Sequence, residues 1–179
     1  MIDEQQLENY NTIKKSLMGI KEKALVIQIT EAPKTASTFE NINQYFIMCK
    51  NDQDKFIMIF ALKKLGMVQG KLVINVTDVI QAYRIKFFFN RFHMKAFVLS
   101  PDLAKAQTQS IIHFFSIGQF DILIVLNEGY KEGESPVLKD LSFVINFDLP
   151  QQYARYKETA CMVELPEGAV INLVAHKEQ

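Results

Sequence analysis

No tryptophan occurs in the 179 residues, and the two cysteines, Cys49 and Cys161, stand outside any CxxC or Cys/His cluster with metal-ligand spacing. That pattern excludes a disulfide scaffold and a zinc module; both thiols are expected buried and reduced. An excess of charge is lacking as well. Twenty Lys and Arg balance twenty Asp and Glu, so no overall field draws the chain to nucleic acid or membrane, and such a contact has to come from a local patch. No apolar run reaches the ~18 residues of a membrane span. The start, MIDEQQLENYNTIKK, has neither the basic beginning nor the apolar centre of a signal peptide, so an intracellular protein without a membrane partner is expected. Glycine is too sparse, at 19, 66, 70, 118, 129, 133 and 168, to build GxxxxGK[ST] or GxGxxG, which excludes a phosphate cradle in this chain. His93, His113 and His176 lie far apart, giving no Ser/His/Asp or Cys/His set and no metal site. Neither an internal repeat nor a low-complexity tract is evident.

What is present is apolar material in regular blocks, 49% of the chain, enough for the core of one ordinary domain. Leu7, Tyr10, Ile13, Leu17 and Met18 share one helical face within residues 3–18, and ALVIQI (24–29) follows as a β-type run. TEAPKTAST (30–38) has linker composition, so a boundary is placed near 35, with residues 1–35 as a helix, strand and linker and residues 36–179 as the main domain. From there strand and helix alternate. QYFIMC (44–49), KLVINVT (71–77), KAFVLS (95–100), DILIVL (121–126), SFVINF (142–147) and AVINLVA (169–175) read as strands. Residues 52–66, 78–92 and 102–116 read as helices, with Asp52 and Asp78 as expected N-caps. Strands this continuously apolar suit a parallel sheet covered on both faces, and the alternation predicts a doubly wound α/β domain. Ligands of such sheets bind at the strands' carboxyl ends, which directs attention to the loops after Thr77, Ser100, Leu126 and Asp148.

One local patch stands out. QAYRIKFFFNRFHMK (81–95) combines Arg84, Lys86, Arg91 and Lys95 with aromatics and holds no acid, a mixture able to contact a phosphate backbone. The weightier expectation puts Tyr83, Phe87 and Phe88 in the core and the basic residues on an ordinary solvated helix face.

The strand-end segments GKLVINVT (70–77), FFSIGQFDILIV (114–125) and LSFVINFDLP (141–150), in that order, resemble the C-terminal RecA-like domain of DEAD-box RNA helicases. YFIMCKNDQDKFIMIFALKKLGMVQGK (45–71) is most similar to the nucleolar subgroup that assists large ribosomal subunit assembly. The resemblance covers about residues 40–179 and implies a RecA-like doubly wound sheet. In that family two RecA-like domains close on ATP, magnesium and single-stranded RNA; the first supplies the phosphate loop and DEAD acids, the second arginine fingers and part of the RNA track. Residues 3–29 would correspond to the last helix and strand of a first domain.

Several of the family's residues are replaced. Its Arg-Gly-x-Asp loop falls on Glu134, Ser135, Pro136 and Val137. Its Tyr-x-His-Arg-x-Gly-Arg-Thr-x-Arg falls on Gln152 to Cys161, where Arg155, Thr159 and Ala160 are kept while Glu158 and Cys161 replace arginines. Loss of a finger typically forfeits ~10³–10⁵ in rate, so Arg155 is the one remaining finger candidate and no catalytic set is intact. On the RNA side Thr-Asp becomes Leu126-Asn127, His-Gly-Asp becomes Ser100-Pro101-Asp102, and an arginine becomes Thr108. Asn75, Thr77, Asp102, Lys105, Gly118 and Asn127 stand as RNA-binding candidates. The resemblance thus implies a non-catalytic module binding RNA or protein, linked to pre-ribosomal particles and the nucleolus and using no cofactor by itself. The alternative is a C-terminal half that completes an ATP-dependent helicase with a separate first domain.

Overall fold

A computed structural model describes the backbone of residues 26–27 and residues 42–127, 129–130, 136–163 and 168–175 in full. The expected helix at 3–18, the linker at 30–38 and the tail from His176 lie outside the described residues. In chain order the elements are β1 (Val26–Ile27), β2 (Asn43–Cys49), α1 (Asp52–Lys64), β3 (Leu72–Val76), α2 (Val79–Arg91), β4 (Ala96–Leu99), α3 (Lys105–Ser116), β5 (Ile122–Leu126), β6 (Phe143–Asn146), α4 (Tyr153–Ala160) and β7 (Ala169–Ala175). They form one sheet in the order β1-β2-β7-β6-β3-β5-β4. Every pairing from β2 to β4 is parallel, and only β1 joins antiparallel, Val26 opposite Ile47. The doubly wound RecA-like sheet expected from the alternating pattern is the fold.

Strands buried on both faces explain their continuous apolar sequence. Leu72, Ile74 and Val76 of β3 turn to one side with Ile122, Ile124, Ile145 and Ile171, where α1 and α2 cover them through Ile59, Leu62, Ala82, Ile85 and Phe89. Val73 turns to the other side with Leu123, Val125, Val144 and Val170, beneath Phe115 of α3 and Ala160 of α4.

Three of these strands share one tripeptide: Val73-Ile74-Asn75, Val144-Ile145-Asn146 and Val170-Ile171-Asn172. Register sets the asparagines side by side, Asn75 opposite Asn146 and Asn146 opposite Asn172. The Asn75 Nδ2 donates to Asn146 Oδ1 at 2.9 Å, and Asn146 Nδ2 donates to Asn172 Oδ1 at 2.8 Å. Asn172 Nδ2 then donates to the Tyr156 hydroxyl at 2.9 Å, and that hydroxyl donates to Gln44 Oε1 at 2.7 Å. A buried amide left unpaired costs about 1–3 kcal/mol, so these residues are tolerated only as a continuous ladder in this register.

Other expectations are corrected locally. Asn51, not Asp52, caps α1: its Oδ1 accepts from Asp54 N at 3.0 Å, while Asp52 lies in the first turn. Asp78 caps α2 as expected, accepting from Ile80 and Gln81. The third helix starts at Lys105 because residues 101–104 form the turn leaving β4. Only one thiol is buried: Cys49 lies in the core, and burial pushes its pKa up to about 11, while Cys161 is exposed just past α4. Tyr83 and Phe87 are not core residues; both are exposed, because Ala82, Ile85 and Phe89 are the positions of α2 that meet the sheet.

Asn146→Leu keeps the number and branching of side-chain heavy atoms but leaves Asn75 Nδ2 and Asn172 Oδ1 buried without this partner. Urea unfolding is expected to show a loss of about 2–5 kcal/mol; a loss within ordinary surface range would mean the ladder carries no stability.

Candidate functional site at the strand ends

β3 is an interior strand of the sheet, between β6 and β5, and the loops leaving these strands meet over its carboxyl end. The most constrained residue there is Asp148, the acid that closes the β6 segment. Its Oδ2 accepts from the backbone N–H and the hydroxyl of Thr77, both at 3.2 Å. Its Oδ1 lies 3.5 Å from Lys55 Nζ. Lys55, almost fully buried on α1, also donates to the Phe147 carbonyl at 2.8 Å, sits 3.5 Å from Asp52, and stands 4.8 Å over the Phe147 ring. A buried ammonium needs this set of partners to offset desolvation. Asp148 and Thr77 thereby tie the ends of β6 and β3 to α1.

Five of the six RNA-binding candidates lie at this end or run into it. Asn75 is buried within the ladder. Thr77 is half-buried against Asp148. Asn127 follows β5, its N–H donating to the Val76 carbonyl at 2.8 Å. Asp102 is exposed in the turn after β4, where its N–H donates to Ser100 Oγ at 3.3 Å. Lys105 is exposed in the first turn of α3. Gly118 is not brought to this end. It follows α3 and precedes β5 at the amino end of the sheet, with φ +74 and open space where a Cβ would stand.

Between Asn75, Asn127, Tyr130, Leu138, Arg155 and Thr159 lies a cavity of about 20 Å³. That is room for a water molecule and far below the ~300 Å³ of a small-molecule site. The Asn127 Nδ2 and the Tyr130 hydroxyl are buried beside it without a hydrogen-bond partner. Burial raises the Tyr130 pKa, with the charge of Asp102 adding to the effect.

Arg155 forms the wall of this cavity. It projects from α4 with its side chain 18% exposed; Nη2 donates to the Tyr130 carbonyl and Nη1 lies 4.0 Å from Glu158 Oε2. Glu158, one turn on, thus faces the arginine it follows. The guanidinium closes α4 onto the loop after β5. Sequence reasoning missed Lys55, Tyr130 and Tyr156 because each works through partners distant in sequence, and it offered no helix at residues 153–160, where α4 lies.

Taken by itself, this strand end does not present its arginine to a triphosphate with its magnesium. The arginine on α4 is turned onto the Tyr130 carbonyl and the Glu158 carboxylate, whose Oε2 is buried without a hydrogen-bond partner. Among the described residues no group of three or more His, Cys, Asp or Glu could hold a metal ion, and no helix is long and apolar enough to cross a membrane.

Fold and strand-end arrangement define the class: a RecA-like helicase C-terminal domain. No family model matches the chain. Over 91 residues it is 40% identical to "Probable ATP-dependent RNA helicase ddx56" of Dictyostelium discoideum, covering 51% of this chain and 13% of that protein. It is 31% identical over 135 residues to the ATP-dependent RNA helicase DBP9 of Yarrowia lipolytica, covering 63% of this chain and 25% of that protein. Among solved structures, the C-terminal domain of the DEAD-box protein Dbp5 superposes with a TM-score of 0.67 at 25% identity, over 76% of this chain and 78% of that one. Dbp5 of S. cerevisiae is also solved bound to RNA and ADP BeF3. The homologues of this chain are DEAD-box ATP-dependent RNA helicases, and it carries the C-terminal RecA-like domain of that family. It spans a quarter or less of the length of the two helicases compared.

Arg155→Ala removes the contact with the Tyr130 carbonyl and is expected to lower stability by about 1–3 kcal/mol. Glu158→Gln removes only a partly exposed ion pair, worth under about 1 kcal/mol. Thermal or urea unfolding checks both; equal effects would contradict the arrangement described.

Proposed function

We propose that this domain is a non-catalytic module of DEAD-box descent that binds RNA or protein, acting with pre-ribosomal particles in the nucleolus. The observation that carries the reading is the state of Arg155. The one finger candidate of α4 is engaged by the Tyr130 carbonyl and by Glu158, which stands where the family places another arginine. A finger acts by placing fixed positive charge on developing phosphate charge. A carboxylate one turn away opposes that charge, and a guanidinium closing a loop is committed elsewhere.

RNA contact is supported by different residues. Lys105 is an exposed cation at the start of α3, and Thr77, Asp102 and Asn127 surround the same strand ends. With the family's other arginines replaced, the phosphate-dependent part of affinity is small. The ribosome-assembly and nucleolar parts of the proposal rest on the likeness to DBP9 and ddx56 and to the subgroup that residues 45–71 resemble.

Fluorescence anisotropy of the purified chain with single-stranded RNA, across a salt titration and with and without ATP, tests the module. Binding that weakens with salt and is the same with ATP is expected, with Lys105→Ala lowering the salt slope by about one. ATP-dependent binding would overturn the non-catalytic reading, and no binding at low salt would remove RNA from it.

A further inference from the structure

Helix α2 has two apolar faces. Ala82, Ile85 and Phe89 are buried against the sheet. Ile80, Tyr83 and Phe87, spaced i, i+3 and i+7 on another side of the helix, are 64%, 42% and 66% exposed. An ordinary surface helix places polar residues there. The Tyr83 and Phe87 rings lie 6.4 Å apart. Helical spacing sets Arg84 and Arg91 along one margin of this stripe and Lys86 along the other. The Lys86 ammonium stands 5.7 Å from the Tyr83 ring and 5.8 Å from that of Phe97, an exposed residue of the edge strand β4. From Val79 to Phe97 there is no acidic residue. The nearest acids along the chain and on α1 are engaged within the fold: Asp78 caps α2, and Asp52 meets Lys55 and Gln81.

We propose that this stripe docks an acidic amphipathic helix of a partner protein. Apolar anchors at three- and four-residue spacing pack on Ile80, Tyr83 and Phe87, and carboxylates on the partner's margins meet Arg84, Lys86 and Arg91. Within residues 79–97 the charge is of one sign, complementary to an acidic partner, and the apolar crest has the length of two helical turns. RNA fits less well: Ile80 offers no stacking face, and the surface is a helix ridge rather than a groove that tracks a backbone. The stripe lies on the sheet face opposite α4 and the strand-end cavity, so it stands or falls independently of the function proposed above.

The test is selection of a displayed random-peptide library on the full chain, counter-selected on a Tyr83→Ala, Phe87→Ala double variant. Both side chains are exposed, so that variant is expected to melt with the wild type; Arg84→Glu provides a second, single-site comparison. The expected result is enrichment of acidic peptides with apolar residues at helical spacing, whose synthetic copies bind at least tenfold more weakly to each variant. No enrichment, or peptides without acidic bias that bind the variants equally well, would overturn the proposal. So would oligouridine, or vesicles containing phosphatidylserine, binding the wild type and losing affinity in the same variants, which would assign the stripe to RNA or to a membrane surface.

Discussion

The asparagine ladder across β3, β6 and β7 is the interaction on which the rest of the domain depends. A parallel strand slipped by one residue would exchange its two faces, and in β3, β6 and β7 the alternation of valine and asparagine against isoleucine makes that exchange costly. It would carry Asn75, Asn146 or Asn172 into the layer under α1 and α2, away from its partners, and set isoleucine among amides. Aliphatic side chains alone would tolerate several registers; three amides that each need the next one tolerate few. The ladder also reaches beyond the sheet. Tyr156 receives it on α4 and passes it to Gln44 on β2, so the same chain of hydrogen bonds that aligns the central strands fixes the helix that bears Arg155.

From that fixed frame the strand ends take their character. In the helicase family this end of the sheet meets nucleotide and RNA, whereas here its polar residues are largely turned inward. Asp148 holds Thr77 and Lys55, Asn75 belongs to the ladder, and Arg155 closes α4 over a cavity the size of a water molecule. Contacts among these residues hold the strand ends together. Lys105 and Asp102 remain exposed at the rim, and the aromatic stripe of α2 lies on the far side of the sheet.

Much of this was legible in the sequence because burial writes itself into strands. KLVINVT, DILIVL and AVINLVA are apolar on both faces, and only a covered parallel sheet explains such runs. The helices announced themselves through an acid at each start, Asp52 and Asp54 in the first turn of α1 and Asp78 as the N-cap of α2. The site was less legible for a physical reason. Arg155 and Tyr130 meet across 25 residues, Lys55 and Phe147 across 92, and no local period encodes such pairs. Residues 153–160 contain only two wholly buried positions, Thr159 and Ala160, too few for a helical stripe to show. Tyr83 and Phe87 misled in the opposite direction, since aromatic residues at helical spacing mark a buried face unless a second face of the same helix already fills that role. The recurring Val-Ile-Asn was visible throughout, but its meaning required the register.

The central claim is that this domain keeps the helicase fold without its catalytic contribution. The most direct measurement is RNA-stimulated ATP hydrolysis by the chain mixed with a separately purified first RecA-like domain from one of its helicase homologues, compared for wild type and Arg155→Ala. Hydrolysis no greater than that of the first domain alone, and the same for both forms, is the predicted result. Hydrolysis that rises on mixing and is abolished by Arg155→Ala would contradict it and restore Arg155 as a working finger.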